Sequence, residues 1–305
     1  MNIEKIVEHL KCRIDEKYIL KGESMANHTT YKIGGNADIF VIPQNKEELI
    51  YCIKVCRENR AEYFILGRGS NLLVSDDGFR GVIINIEDNI SKIEVNDDEI
   101  YAEAGAGLIN VSYKAYINSL SGMEFACGIP GTVGGAVYMN AGAYGGEMKQ
   151  IVTEVEALDQ NNEVKVIYND EMRFDYRYSA IQDANYVVLS VKIKLTKGEK
   201  EEIKNIRERL RLHRQNGQPL DLPNAGSVFK RPEGHYPGKM IEDAGLKGYT
   251  IGGAQISEKH ANFIVNTGDA TAKNVIELIK YIQDEVYNLY GVQLKVEVKM
   301  LGEFE

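Results

Sequence analysis

Two glycine-rich segments of this sequence carry residues that could hold a phosphorylated ligand. The first, GRGSN at Gly67–Asn71, follows an apolar run at Tyr63–Leu66. Glycines let the backbone approach a ligand closely and turn its N–H groups toward an anion. The GxGxxG fingerprint of dinucleotide-binding folds fails here, because Leu72 stands at its sixth position and a strand-like run follows. A tight turn between two strands explains this segment equally well.

The second segment, Gly128–Gly146, is denser in glycine and reads GIPGTVGGAVYMNAGAYGG. Glycines and other small residues at this frequency exceed what core packing requires, and they suit a loop wrapped around an extended ligand. A flexible linker is the plain alternative, but the interspersed Ile, Val, Tyr and Met fit a linker poorly. The segment therefore predicts a ligand-binding loop.

A third stretch, GHYPGKM at Gly234–Met240, resembles the phosphate-binding loop of nucleoside triphosphatases. It has one residue too few between its glycines, and Met240 stands where a Ser or Thr would bind magnesium. The sequence therefore excludes a phosphate-binding loop of that class.

The charge distribution limits the partners of this chain. A formal net charge of −9 argues against general nucleic-acid binding, although a local basic cluster can still bind a small anion. The basic cluster comprises Lys204, Arg207, Arg209, Arg211, Arg214, Lys230 and Arg231. A solvated helix explains most of these residues, since Arg207, Arg211 and Arg214 share one helical face.

No stretch of the chain approaches the roughly 18 uncharged apolar residues that a transmembrane helix requires. Residues 1–17 mix Glu, Lys and Arg among apolar residues and lack the apolar core of a secretory signal. Cys52 and Cys56 lie four residues apart without a nearby histidine, which favours buried thiols over a metal site. We therefore expect a cytoplasmic protein with no bound metal and no membrane partner.

The elements that must position these segments mix strands and helices. Strand patterns occur at 37–43, 63–66, 71–74, 81–86, 91–95, 99–104, 152–158, 163–168, 186–195 and 292–301, and helix patterns at 46–60, 108–121, 197–215 and 271–290. Because no regular βαβ series appears, the order predicts an α+β fold, with a domain boundary near residue 198.

The last helix and the last strand have clear apolar faces. The core positions expected in the helix are Val275, Leu278, Ile279, Ile282, Val286 and Leu289. In the strand, one face is expected to carry Leu294, Val296, Val298 and Met300, and the other Lys295, Glu297 and Lys299.

Several motifs together resemble the UDP-N-acetylenolpyruvoylglucosamine reductases, the MurB family of flavoenzymes. They are TYKIGG at 30–35, LGRGSNLL at 66–73, GIPGTVGGAVYMNAGAYGGE at 128–147, FDYRYS at 174–179, PNAGSVFKRP at 223–232, LKGYTIGGAQIS at 246–257 and VEVKMLG at 296–302. The resemblance covers nearly the whole chain and implies the vanillyl-alcohol-oxidase/PCMH-type flavoprotein fold. In that fold two α+β lobes hold FAD between them. The expected FAD-binding domain is 1–198, with lobes at roughly 1–88 and 89–198, and a C-terminal α+β substrate-binding domain follows over 199–305.

The resemblance implies that both glycine-rich segments bind FAD. The expected flavin-binding residues are Gly67, Arg68, Gly69, Ser70, Asn71, Gly128, Ile129, Pro130, Gly131, Thr132, Gly134, Gly135, Asn140, Gly142, Ala143 and Tyr144. Several oxidases of the wider fold attach flavin through a histidine near the first segment. Gly-Ser-Asn stands there in this chain, so FAD is expected to be non-covalent, with NADPH as the hydride donor.

Three residues match the catalytic positions of the family: Arg177 in FDYRYS, Ser227 in PNAGSVFKRP and Glu297 in VEVKMLG. The resemblance implies that Ser227 donates a proton and that Arg177 stabilises negative charge on the substrate. Glu297 would polarise the enolate site or a relay water. From the local pattern alone, Ser227 fits a turn, Arg177 a surface pair and Glu297 a solvated cross-strand partner.

The implied activity is NADPH-dependent reduction of UDP-N-acetylglucosamine enolpyruvate to UDP-N-acetylmuramate by a monomer. This step belongs to peptidoglycan synthesis, and hence to cell-wall biogenesis, cell shape and division. Arg214, Lys230 and Lys247 are expected to contact the pyrophosphate or carboxylate of the substrate.

The sequence departs from other family members at two places. Lys-Arg-Pro at 230–232 replaces Lys-Asn-Pro, and the tyrosine-bearing insertion after the Arg177 motif is absent, as in the shorter subtype. The alternatives are another flavin oxidoreductase of the same wider fold, and a flavin- or nucleotide-binding module without catalysis.

Overall fold

The computed structural model describes residues 2–87 and 89–304. Positions 1 and 305, at the ends of the expected domains, and position 88, the expected division between the lobes, lie outside those ranges. The chain forms two compact units. The first unit comprises the residues up to Leu20, Ile39–Arg68 and Gly81–Arg214, and the second comprises Lys21–Asp38, Gly69–Arg80 and the residues from Gln215 onward.

The helices of the described residues are mostly short. They are α1 Ile3–Lys11, α2 Lys46–Glu58, α3 Leu108–Ile117, α4 Val133–Tyr138, α5 Ala180–Ala184, α6 Lys200–Gly217, α7 Pro237–Asp243 and α8 Ala272–Tyr290. Within residues 2–87 and 89–304, no helix has the length and apolar character needed to cross a membrane.

The strands run as follows. They are β1 Ile19–Ser24, β2 Asn36–Val41, β3 Tyr63–Leu66, β4 Leu72–Val74, β5 Phe79–Asn85, β6 Ile93–Asn96, β7 Glu99–Glu103, β8 Leu120–Ser121, β9 Gly142–Ala143, β10 Gly146–Glu147, β11 Val152–Leu158, β12 Val164–Tyr168, β13 Val187–Lys194, β14 Thr196–Lys197, β15 Thr250–Ile251, β16 Ala254–Ile256, β17 Ile264–Asn266 and β18 Lys299–Leu301.

Two sheets dominate the first unit. One has the strand order β1-β2-β5-β3, with β3 and β5 parallel, and the other is an antiparallel sheet of order β12-β11-β13-β7-β6. Aliphatic residues from both sheets and from α2, α3 and α4 bury one continuous core. This core positions the elements on either side of the second glycine-rich segment.

The second unit is built around α8. Asp76 caps this helix, because its carboxylate accepts hydrogen bonds from the first two N–H groups of α8 at 2.8 and 3.0 Å. Gly291 ends the helix in the left-handed region, with φ of 67°. The buried face of α8 shares a core with β4, β16 and β17. β18 pairs in parallel with β4, so that Lys299 lies opposite Leu72.

Most predicted elements are confirmed, with ends that differ by a few residues. The helices expected over 46–60 and 271–290 are α2 and α8, and the strand expected over 152–158 is β11. Cys52 and Cys56 are buried free thiols, as the sequence indicated, and burial raises the pKa of Cys56 to about 12.

The strand expected over 292–301 is wrong in length. Only β18 forms, because its partner β4 has three residues, and Val296 adds an isolated bridge to Phe229. The backbone bends at Val298, so the alternation breaks there and Met300 is 43% exposed. Leu289, expected in the core, is also exposed, because it follows the last buried residue of α8 in the final turn.

Two further expectations differ from the structure. The second glycine-rich segment is not a continuous loop, since it contains α4 and the strands β9 and β10. The compact units also do not divide near residue 198, because residues 199–214 belong to the first unit and two N-terminal stretches belong to the second. Pairing of β4 with β18 brings distant parts of the chain together, which chain order could not indicate.

The glycine pair of the TYKIGG motif lies against the turn that contains Asp76. Gly35 donates its N–H to Ser75 O at 2.9 Å, and a Cβ at Gly35 would lie 2.1 Å from Asp76 O. Only glycine fits this approach, and Asp76 in turn caps α8.

We therefore expect Gly35→Ala to lower the free energy of unfolding by about 2 kcal/mol, as overpacking of a closely packed position does. Urea unfolding followed by circular dichroism measures the effect. Gly217→Ala is the matched control, because a Cβ at Gly217 would meet nothing within 4 Å. Equal stabilities of the two variants would contradict this assignment.

Candidate active site

The second glycine-rich segment is held from both sides at the start of α4. Thr132 caps the helix, and its Oγ1 accepts a hydrogen bond from the Gly135 N–H at 3.3 Å. Gly131 O accepts a hydrogen bond from the Leu108 N–H at 2.8 Å, so the first residue of α3 holds the same stretch. These bonds fix the backbone of the segment without a ligand.

The other predicted flavin-binding residues of this segment follow the same path. Ile129 and Pro130 precede α4, Gly134 and Gly135 lie within it, Gly142 and Ala143 form β9, and Tyr144 lies at the hairpin turn. The Tyr144 ring is 45% exposed, with its centroid 5.5 Å from that of His213.

Gly67 of the first glycine-rich segment packs on Thr132. A Cβ at Gly67 would lie 2.5 Å from Thr132 Oγ1, so the contact requires glycine. Residues from both predicted flavin-binding segments therefore meet within the first unit. The neighbouring Arg68 is paired with Glu87, which compensates its charge within the protein.

Arg177 lies in a turn that is fastened to the end of α4. Its φ is 55°, and the turn begins at Asp175, whose O accepts a hydrogen bond from Asn140 Nδ2 at 3.0 Å. Ser179 Oγ donates to Tyr138 O at 2.9 Å on the other side of the turn. The first unit thus joins the Arg177 turn to Asn140, a predicted flavin-binding residue.

Arg214 is a half-buried cation beside the same segment. A Cβ at Gly128 would lie 2.8 Å from Arg214 Cδ. Burial lowers the pKa of Arg214, against the opposing influence of Tyr144 and Cys127. Among residues 2–87 and 89–304, no carboxylate forms an ion pair with Arg214. A desolvated guanidinium without such a partner is suited to an anionic ligand.

The rest of the first glycine-rich segment, from Gly69 to Asn71, belongs to the second unit. Gly69 has φ of 59°, and its O accepts a hydrogen bond from the Thr30 N–H at 3.2 Å. Asn71 O accepts from the Lys299 N–H at 3.0 Å, and Asn71 Nδ2 donates to Glu297 O at 3.4 Å. This short loop, which includes Ser70, therefore contacts both Thr30 and the segment that carries Glu297.

Ser227 lies in a loop that is hydrogen-bonded before and after it. Asn224 Oδ1 accepts from the Gly226 N–H at 2.9 Å, which orders the preceding turn. The next residue, Val228, accepts a hydrogen bond at its O from the Glu297 N–H at 2.7 Å. The backbone segments that carry Ser227 and Glu297 are therefore direct neighbours in the second unit.

Two lysines lie beside the Glu297 segment. Lys230 donates its N–H to Lys295 O at 2.8 Å. Burial lowers the pKa of Lys299, and the nearby charge of Lys230 lowers it further. Such a pair of ammonium groups attracts an anion. Lys247, by contrast, lies on the segment after α7 and forms an ion pair at 2.8 Å with Glu242 of that helix.

Sequence reasoning assigned no role to Thr30, Asn262 or Lys299. Thr30 Oγ1 donates to Asn224 O at 2.6 Å. Asn262 is buried, and its amide accepts from the Phe229 N–H and donates to Phe229 O at 3.1 and 3.0 Å. Thr30 lies in a recognisable motif, whereas no local signal links Asn262 to Phe229, which lies 33 residues away in the chain.

Two relatives place this chain in a family. It is 50% identical over 300 residues to UDP-N-acetylenolpyruvoylglucosamine reductase of Caldanaerobacter subterraneus subsp. tengcongensis, which covers 98% of this chain and 99% of that protein. It is also 50% identical over 290 residues to the protein of the same name from Alkaliphilus oremlandii, with 95% of each chain covered. This chain belongs to the UDP-N-acetylenolpyruvoylglucosamine reductase family.

Family models and solved structures agree with that membership. The C-terminal domain model of this reductase family matches residues 218–301, and an FAD binding domain model matches residues 37–168. The crystal structure of MurB from Thermus caldophilus has a TM-score of 0.80 and 34% identity, over 93% of this chain and 98% of that chain. Phl p 4.0202, a glucose dehydrogenase, shares the fold, with a TM-score of 0.51 and 11% identity. The match covers 95% of this chain and 63% of that chain.

The predicted MurB family and the FAD-binding α+β flavoprotein fold are therefore confirmed, and the chain is an FAD-binding oxidoreductase of this reductase family. The sequence suggested that Arg214 binds the substrate. Arg214 packs against Gly128, in a segment expected to bind the flavin, and its contact with the substrate stays a prediction.

We expect Arg214→Gln to weaken FAD binding about tenfold, because a charge-assisted hydrogen bond contributes about 1.5 kcal/mol or more. Titration of flavin-free protein with FAD, followed by flavin fluorescence, measures the dissociation constant. Arg211→Gln is the control, since Arg211 is exposed on the same helix. Unchanged FAD affinity in the Arg214 variant, together with weaker UDP-sugar binding, would indicate that Arg214 binds the substrate and not FAD.

Proposed function

We propose that this chain reduces UDP-N-acetylglucosamine enolpyruvate to UDP-N-acetylmuramate, with bound FAD and with NADPH as the hydride donor. The observation that carries the proposal is the pairing of the Ser227 and Glu297 segments in a member of this family that also has Arg177. The reaction would serve peptidoglycan precursor synthesis, and through it cell-wall biogenesis, cell shape and division.

The residues of the first unit fit an FAD pyrophosphate. Gly67 and Gly128 let the backbone lie against Thr132 and Arg214, where a side chain would clash, and Arg214 supplies a desolvated positive charge. We assign flavin binding to the two glycine-rich segments, in part from Gly67 to Asn71 and in part from Gly128 to Tyr144. Non-covalent attachment follows from the Gly-Ser-Asn sequence of the first segment, which offers no histidine.

Bound FAD supplies the hydride, taken from NADPH, that adds to the methylene carbon of the enolpyruvyl group. The adjacent carbon then requires a proton, and we assign its donation to the Ser227 hydroxyl. A serine hydroxyl is a weak acid, so it must be placed close to the carbon that it protonates. The hydrogen bonds on both sides of Ser227 supply that placement.

Arg177 and Glu297 are each assigned a role toward charge on the substrate. Hydride addition leaves an enolate that extends into the substrate carboxylate, and the guanidinium of Arg177 is assigned to stabilise this negative charge. The backbone of Glu297 is fixed by Val228 and Asn71. Its carboxyl group is assigned to polarise the enolate site or a relay water.

The substrate carries a pyrophosphate and a carboxylate, and the second unit offers cations for them. Burial and the nearby charge of Lys230 both lower the pKa of Lys299, and an anion that binds beside the two lysines would reduce the repulsion between them. Lys247 is a further candidate, and its ion pair with Glu242 would have to open or rearrange to reach a phosphate. We assign substrate binding mainly to 199–305, and place the reaction in the cytoplasm with a monomeric enzyme.

The proposal is tested by the product of the FAD-loaded protein with NADPH and UDP-N-acetylglucosamine enolpyruvate. Mass spectrometry is expected to show a gain of one hydride and one proton, with nuclear magnetic resonance identifying UDP-N-acetylmuramate. Ser227→Ala is expected to keep its flavin. Its turnover number is expected to fall about 100-fold, because the general acid is lost. Ser121→Ala in β8 is the matched control.

Two outcomes would overturn the assignment. Flavin that NADPH reduces without conversion of this substrate would indicate another oxidoreductase of the same fold. Full turnover by Ser227→Ala would leave the reaction in place but remove Ser227 as the proton donor.

A further inference from the structure

Thr30 makes a reciprocal contact with the loop that carries Ser227. Its Oγ1 donates to Asn224 O at 2.6 Å, and the Asn224 N–H donates to Thr30 O at 3.1 Å. A hydroxyl has a single proton, so the short bond to Asn224 takes it in preference to Gly69 O, which lies 3.4 Å from the same hydroxyl. Thr30 therefore bonds to Asn224 through both its side chain and its backbone.

Thr30 also contacts the first glycine-rich segment. Its N–H donates to Gly69 O at 3.2 Å. A Cβ at Gly69 would lie 2.3 Å from His28 O and 2.9 Å from Thr29 Cα, so this part of the loop lies tightly against residues 28–30. Thr30 consequently lies between a predicted flavin-binding loop and the Ser227 loop, all within the second unit.

The turn before Ser227 is held by hydrogen bonds as well as by the buried side chain of Ala225. Gly226 has φ of 79°, and a Cβ there would meet nothing within 4 Å. Asn224 orders the turn by accepting from the Gly226 N–H and by donating to Pro219 O and Leu222 O. On the other side of Ser227, Asn262 fixes the backbone of Val228 and Phe229, whereas the hydrogen bonds of the preceding turn come from Asn224 and Thr30.

We propose that Thr30 is a positioning residue for proton delivery, which holds Ser227 at a fixed place relative to the first glycine-rich segment through its hydrogen bonds to Asn224 and Gly69. The inference rests on the proposed function of Ser227. Thr30 contributes no chemistry of its own. A displacement of about 1 Å of a reacting group can cost on the order of 100-fold in rate, so this anchoring affects the proton-transfer step.

The test compares Thr30→Val, which removes the hydroxyl at nearly constant shape, with Thr30→Ser, which restores it. Under anaerobic conditions, stopped-flow absorbance follows flavin reduction by NADPH and flavin reoxidation by UDP-N-acetylglucosamine enolpyruvate separately. Thr30→Val is expected to slow reoxidation at least tenfold and to change reduction by NADPH less than twofold. The rate of flavin reoxidation in Thr30→Ser is expected to lie within about threefold of the rate in the unsubstituted protein.

Thr267→Val is the matched control. Thr267 Oγ1 also donates to a backbone O, that of Gly253 at 2.9 Å, in the same unit. Its loss is expected to leave both half-reactions unchanged. If Thr30→Val is insoluble, Thr30→Ala removes the same hydroxyl with less bulk and is compared with Thr30→Ser in the same way.

Hydrogen–deuterium exchange of the flavin-free protein supplies a readout that does not require activity. Peptides that cover residues 222–228 are expected to exchange faster in Thr30→Val than in the unsubstituted protein or in Thr267→Val. Equal slowing of both half-reactions, unchanged reoxidation, or failure of Thr30→Ser to restore the rate would each overturn the positioning role.

The two proposals fail in different ways. If the unsubstituted protein is reduced by NADPH but not reoxidised by this substrate, the proposed function is lost. The exchange experiment then still decides the anchoring, because unchanged exchange of residues 222–228 in Thr30→Val would show that Thr30 does not hold the loop.

Discussion

The hydrogen bonds of the loop from Gly69 to Asn71 determine how the segments that carry the proposed site residues of the second unit are arranged. Asn71 O accepts a hydrogen bond from the Lys299 N–H, and Asn71 Nδ2 donates one to Glu297 O. These two bonds fix the segment that leads into β18. Gly69 O accepts a hydrogen bond from the Thr30 N–H, and the Thr30 hydroxyl donates a hydrogen bond to Asn224 O. Residues predicted to bind flavin therefore share one backbone framework with Ser227 and Glu297. A change in this loop is expected to affect cofactor binding and proton transfer together.

Electrostatics provides a second constraint. The chain has a formal net charge of −9, yet Arg214 is desolvated without a carboxylate partner among the described residues. In the second unit, burial and the charge of Lys230 lower the pKa of Lys299. Buried charges cost stability unless they are paired, and an anionic ligand can supply the pairing. Phosphorylated ligands would consequently stabilise the folded protein as well as occupy its site.

Much of the architecture could be predicted from the sequence, because long elements carry strong periodic patterns. The helix predicted over 271–290 occurs as α8, and all of its predicted core residues except Leu289 are buried. The glycine-rich segments were recognisable by composition, but α4 inside the second one was not, since glycine is a poor helix former. Local propensity is overridden there by the Thr132 cap and by backbone contacts with the segment before α3.

The site itself was predictable in part. Motif resemblance indicated Ser227 and Glu297, but their adjacency depends on a bond between the Glu297 N–H and Val228 O, which no local pattern records. The burial of Arg214 against Gly128 likewise depends on most of α6, up to Arg214, belonging to the first unit. Contacts between residues far apart in sequence are set by tertiary packing, and single-sequence periodicity carries no information about them.

A single anaerobic titration of the FAD-loaded protein tests most directly whether it passes hydride from NADPH to the UDP-sugar. The flavin is first bleached with one equivalent of NADPH, and UDP-N-acetylglucosamine enolpyruvate is then added while the flavin absorbance is recorded. We expect the oxidised flavin spectrum to return in proportion to the substrate added. A flavin that stays reduced, or a protein that binds no FAD after reconstitution, would contradict this expectation.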